Sequence, residues 1–201
     1  MKNRISLTLY LLFTTLLLAA CGGLLTSEQP PRQVYLLQPL AAAESGGGKT
    51  VLHFGLTVIP GLDTDRIVAL DPDARLLPYA NARWPDHLPE VLHSVLRRSL
   101  ESTGRFENIR SGGVAAPDQW QLDLELQAFH GILDDAGGTR TVRAQLVGRI
   151  SCDGRASSLY LTDAAAVAQD RLAAVVAAHQ AALDGVTRKL VDSIDAACGE
   201  P

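Results

Sequence analysis

From residue 51 to 59 the chain alternates, with Leu52, Phe54, Leu56 and Val58 on one side and His53, Gly55 and Thr57 on the other. A period of two with one apolar face predicts a half-buried strand, and Pro60-Gly61 stops it. Residues 34–38, 65–70 and 75–79 read as shorter strands, the last two around a turn at Asp71, Pro72 and Asp73. After Trp84-Pro85 the period lengthens. Leu88, Val91, Leu92, Val95, Leu96 and Leu100 recur on one helical face. Pro89 fits the first turn, where a missing amide donor costs nothing, and Gly104 closes the helix. Two long alternating strands follow. Trp120, Leu122, Leu124 and Leu126 line the first, Val142, Ala144, Leu146 and Ile150 the second. Asp134, Asp135, Gly137 and Gly138 predict an antiparallel hairpin turn between them. A long alanine-rich helix over residues 166–197 ends the chain, with Leu172, Val175, Val176, His179, Leu183, Val186, Leu190 and Ile194 as its buried stripe. Asp184 and Arg188 are spaced to pair on its outer face, and Gly185 marks a bend. This order predicts one α+β domain, a mostly antiparallel sheet with an amphipathic helix and a long C-terminal helix packed on one face.

Ahead of these elements lies a different pattern. Lys2 and Arg4 precede an uncharged apolar run, and Leu18-Ala19-Ala20-Cys21 ends it with small residues before a cysteine. This is the layout of a secretory signal, and the run is too short for a comfortable span of ~20 residues. L-A-A-C also resembles the bacterial lipobox, which implies diacylglycerol on the Cys21 thiol, cleavage before Cys21 and acylation of the new amino terminus. Residues 1–20 are then the signal, 21–33 a lipidated tether and 34–201 the domain. Several acyl chains give a stable membrane anchor. Gly22 and Gly23, not Asp, follow Cys21, and by resemblance to enterobacterial lipoproteins the absence of Asp there favours sorting to the outer membrane.

Loss of Lys2 and Arg4 leaves 16 basic side chains against 22 acidic ones, a formal charge of −6. Such a chain is no general nucleic-acid binder. Residues 43–50, A-E-S-G-G-G-K-T, fall one glycine short of a phosphate-binding loop and precede a strand, not a helix, so nucleotide binding is rejected. The five histidines are scattered without metal-ligand spacing. No serine has nucleophile-elbow glycines, and the acids at 63, 65, 71 and 73 lack the calcium-loop pattern. The sequence therefore offers no catalytic site, no metal site and no cofactor beyond the acyl groups on Cys21. Cys152 and Cys198 remain. They stand either as a disulfide pinning the last helix to the hairpin or as two separate buried thiols.

Tyr35-Leu36-Leu37, then V-I-P-G-L-D-T-D-R-I-V from Val58 to Val68, then Y-A-N-A-R-W from Tyr79 to Trp84 before an amphipathic helix, resemble the ABC-type transport auxiliary lipoproteins, the PqiC-like family. The resemblance covers nearly all of the chain after Cys21. It implies a non-enzymatic subunit of a lipid-trafficking system, anchored on the outer-membrane side. Its partner would be an Mce-domain periplasmic tunnel protein and, through that protein, an inner-membrane permease and ATPase. Pro60, Leu62, Asp63, Arg66, Tyr79 and Trp84 are the candidate contacts, with Trp84 read either as an interface anchor or as a plug at the helix entrance. Two other readings are a lipid-binding carrier, with a groove lined by Leu172, Val176 and Leu183, and a structural lipoprotein assisting outer-membrane assembly or export.

Overall fold

The computed structural model describes residues 32–41, 48–169 and 171–199. The signal at 1–20, Cys21, the tether up to residue 31 and the glycine-rich stretch 42–47 lie outside the described residues. The elements are β1 (Gln33–Val34), β2 (Thr50–Val58), β3 (Arg66–Leu70), β4 (Leu76–Arg83), α1 (Leu88–Glu101), β5 (Phe106–Ser111), β6 (Trp120–Leu133), β7 (Thr139–Cys152), β8 (Arg155–Ala166) and α2 (Leu172–Cys198), with a 3-10 turn at Pro60–Leu62.

Among the described residues all eight strands join one sheet, organised around β6. One edge of β6 pairs antiparallel with β7 along its length, and β7 pairs antiparallel with β8. These are the long ladders, and the first is the hairpin that the sequence predicts. The other edge of β6 is shared. β2 runs parallel beside residues 120–126, and β3 runs parallel at residues 131 and 132. β5 extends the sheet beyond β2, and β4 extends it beyond β3. The parallel pairings go beyond the sequence reading, because non-local strand order has no signal in local periodicity.

Alternation decides which face is buried. Leu52, Phe54, Leu122, Leu124, Leu126, Val142, Ala144, Leu146 and Ile150 join one core with the buried stripes of α1 and α2. Each of the Leu, Val, Ile and Phe side chains among them contributes roughly 1.5–3 kcal/mol of transfer free energy. The opposite face carries Gln121, Asp123, Glu125 and Gln127 beside Gln145 and Arg149, and Gln145 Nε2 donates to Gln127 Oε1 at 2.9 Å.

Four expectations need correction. The first strand is only two residues long. Tyr35 N–H still bonds Arg83 O at 2.9 Å, and the chain beyond it crosses to α2, where Gln38 and Gln180 exchange two hydrogen bonds of 2.8 and 3.0 Å. The last helix starts at Leu172, not 166, because residues 155–166 form β8, which the sequence reading left unassigned along with β5. Ala164, Ala165 and Ala166 favour helix on their own, but pairing with β7 overrides that weak preference. Gly185 sits within the unbroken helix α2. A Cβ there would lie 1.3 Å from Asp163 Oδ2, so the glycine lets α2 close onto β8. Asp184 accepts at 2.8 Å from Nε2 of Gln180, one turn before it in the helix, whereas the expected partner Arg188 lies one turn after it.

Candidate docking surface

Val58 pairs with Leu126 and Ala69 with Gly131, so eleven residues of the β2–β3 path span only five of β6. The surplus loops out as residues 59–65. Ile59 N–H makes the last ladder bond to Leu126 O at 3.1 Å, and the 3-10 turn follows. Leu62 is buried and holds the excursion against the core.

The second candidate segment returns to the same place. Arg83, at the end of β4, sits opposite Arg66. Its Nη1 meets Asp65 Oδ2 at 2.8 Å, which offsets the two neighbouring positive charges. Trp84 N–H donates to Asp65 O at 2.7 Å, and Leu88 N–H, the first amide of α1, donates to Thr64 O at 3.0 Å. The loop thus satisfies an orphan donor at the helix start. His87 Nδ1 lies 3.1 Å from Asp63 Oδ1. That hydrogen bond, with the charges of Asp63, Asp86 and Asp65, raises the His87 pKa above its ordinary value.

The structure therefore joins the two sequence segments into one rim, but divides their side chains. Pro60, Asp63 and Arg66 are exposed, as are Asp86 and His87, which the sequence reading did not single out. Leu62 and Trp84 are turned into the core, and Tyr79 is half-buried with its hydroxyl on Thr139 Oγ1. Of the two readings of Trp84, the structure takes the plug. The pairing of His87 with Asp63 crosses 24 residues, so no local pattern signals it.

Beneath the rim Trp84 meets Phe129 at 5.9 Å and His179 at 5.5 Å between ring centroids. His179 Nδ1–H donates to Val175 O at 2.9 Å, while Nε2 is buried without a hydrogen-bond partner. Burial lowers the His179 pKa to about 4. An unfolded chain takes up this proton near pH 6.5, whereas the folded chain resists it until about pH 4. The resulting stability is present above pH 6.5 and is lost as the pH falls toward 4, a contribution of about 3 kcal/mol. Denaturant midpoints measured across that window should fall with pH in the wild type, and His179→Leu should flatten this part of the profile.

Among the described residues cavities open at several places. One of 590 Å³ lies between residues 113–117 and the β7–β8 turn, lined by Gln121, Asp123, Ser151 and Arg155. Another of 390 Å³ lies on the polar sheet face around Gly55 and Glu125. A third of 220 Å³ lies between residues 36–37 and α1, where the core residues Leu37, Val91 and Val95 and the polar Glu90 and Arg98 line it. Over the proposed acyl groove, Leu183 is fully packed, and Leu172 and Val176 rest against the same core. Cys152 and Cys198 form a disulfide with Cα atoms 5.8 Å apart. Among the described residues no three metal-ligating side chains cluster, and no helix is long and apolar enough to cross a membrane.

Comparison with solved structures recovers the same fold. Protein XCC0632 from Xanthomonas campestris, of family model DUF330, has a TM-score of 0.64 at 22% identity, covering 79% of this chain and 92% of its own. A second crystal structure, of an uncharacterized protein, has a TM-score of 0.63 at 15% identity, covering 82% of this chain and 99% of its own. No curated protein matches the chain. The model of the ABC-type transport auxiliary lipoprotein component matches residues 35–191, most of the chain, and the protein belongs to that family.

Proposed function

We propose that this protein is a non-enzymatic docking subunit of an Mce-type intermembrane lipid transport system. Acyl groups on Cys21 hold it in the outer membrane, and the rim of Asp63, Arg66, Asp86 and His87 meets a periplasmic Mce-domain protein. That protein in turn connects to the inner-membrane permease and ATPase. Membership of a transport auxiliary lipoprotein family supports the setting, and the lipobox at Cys21 supports the anchor.

The observation that carries the docking role is the filled interior. A carrier needs an apolar void for an acyl chain, and at the groove expected of one Leu183 is buried in the core with Leu172 and Val176 packed against it. The protein then acts through its outer surface. Reversing the rim charge with Asp63→Lys and Asp86→Lys is expected to cut recovery of the Mce-domain protein by about tenfold, worth ~1.4 kcal/mol of affinity. Circular dichroism of the variant should stay unchanged, since both side chains are exposed. Undiminished recovery would remove the rim from the account.

A further inference from the structure

Residues opposite one another in a ladder point to the same side of a sheet, so the register orders the polar face into rows. Thr57, Glu125, Val147 and Tyr160 form one row across β2, β6, β7 and β8. Gly55, Asp123, Arg149 and Ser158 form the row beside it. Each row is ~14 Å long from the strand spacing, and the two lie ~7 Å apart. α1 and α2 pack on the opposite, apolar face.

These rows have relief and fixed polar groups. Gly55 adds no side chain, and the 390 Å³ cavity opens there among Thr57, Asp123, Glu125 and Val147. Asp123 also lines the 590 Å³ cavity toward residues 113–117, so the two share one carboxylate. Tyr160 ends the first row and is 70% exposed. Gln121 Nε2 donates to Asp123 Oδ1 at 2.9 Å, and Gln127 Nε2 donates to Glu125 Oε1 at 3.0 Å. Gln127 is held in turn by Gln145. Each carboxylate is thereby oriented and keeps acceptor sites to spare. Arg143 and Arg149 are exposed on β7 and have no ion pair among the described residues.

We propose that this face binds a strand of N-acetylated amino sugars, the glycan of the cell wall. A sugar ring has an apolar C–H face and a polar rim. Tyr160 supplies an aromatic plane for the first, and the oriented carboxylates accept from the hydroxyl and amide N–H groups of the second. Asp123 and Glu125 on β6 are balanced by Arg143 and Arg149 on β7, which suits an uncharged sugar backbone. The unpaired arginines match the carboxylates of the peptides that such strands carry. A protein interface centres on a cluster of large apolar anchors, whereas in these rows only Val147 and Tyr160 are large and apolar. The proposal shares with the docking role only the periplasmic setting, and the rim takes no part in it.

Co-sedimentation of the full-length lipoprotein with purified cell-wall sacculi tests it, in a polyoxyethylene detergent that brings no sugar headgroup. The wild type should pellet with the sacculi, and soluble chitotetraose should release it. Tyr160→Ala and Glu125→Ala should each weaken binding about tenfold, with melting curves unchanged. Tyr160→Phe keeps the ring and should bind as the wild type does. The rim variant Asp63→Lys, Asp86→Lys should also pellet normally, which separates this result from that of the docking test. A wild type that stays in solution, or binding that neither alanine substitution weakens, would overturn the proposal. So would a loss of Mce-domain partner in Tyr160→Ala with no glycan binding by the wild type, which makes the face a protein contact.

Discussion

Trp84→Ala is expected to destabilise the domain by about 3–5 kcal/mol, the cost of removing a large buried aromatic and leaving a cavity. The indole is fully enclosed, stacked obliquely on Phe129 from β6 and edge-on to His179 from α2. It thus joins the end of β4, the central strand and the long helix. Its backbone also donates to Asp65, which ties the ring to the rim loop. Denaturant unfolding should show the full loss in Trp84→Ala and a smaller one in Trp84→Phe, which keeps a ring in the space. Rim function in Trp84→Phe should survive, since the indole is a support and not a contact. Loss of partner recovery in a stably folded Trp84→Phe would contradict that assignment.

Reduction of Cys152–Cys198 is expected to cost about 4 kcal/mol, from the loop entropy released by a cross-link of this span; the two cysteines are 46 residues apart. The bridge joins the end of β7 to the last residue of α2, where an ion pair between Arg105 and Asp195 provides a second tie. A domain with roughly 5–15 kcal/mol of total stability would feel either loss strongly. Unfolding midpoints should drop on reduction in the wild type. A Cys152→Ser, Cys198→Ser double variant should start from the lowered value and ignore the reductant.

Much of the architecture was legible because one face of each element is buried. β2, β6, β7 and α1 announce themselves by period, and Asp134 to Gly138 by turn chemistry. β8 was missed although Asp153-Gly154 is a strong hairpin signal. Only Leu159 and Leu161 mark its apolar face, and the run of alanines behind them imitates a helix start. β5 has Phe106 and Ile109 at spacing that suits neither a strand face nor a helix of its length. The rim was half legible. Its two segments could be picked from the sequence, but which side chains turn outward depends on Asp65 bonding Arg83 and Asp63 bonding His87, contacts 18 and 24 residues apart.

The most direct test of the docking role is gentle isolation of the acylated protein from envelopes, with protein and lipid both quantified by mass spectrometry. The account predicts an Mce-domain protein in the isolate and no stoichiometric phospholipid beyond the acyl groups on Cys21. Stoichiometric phospholipid without such a partner would contradict it and make the protein a carrier.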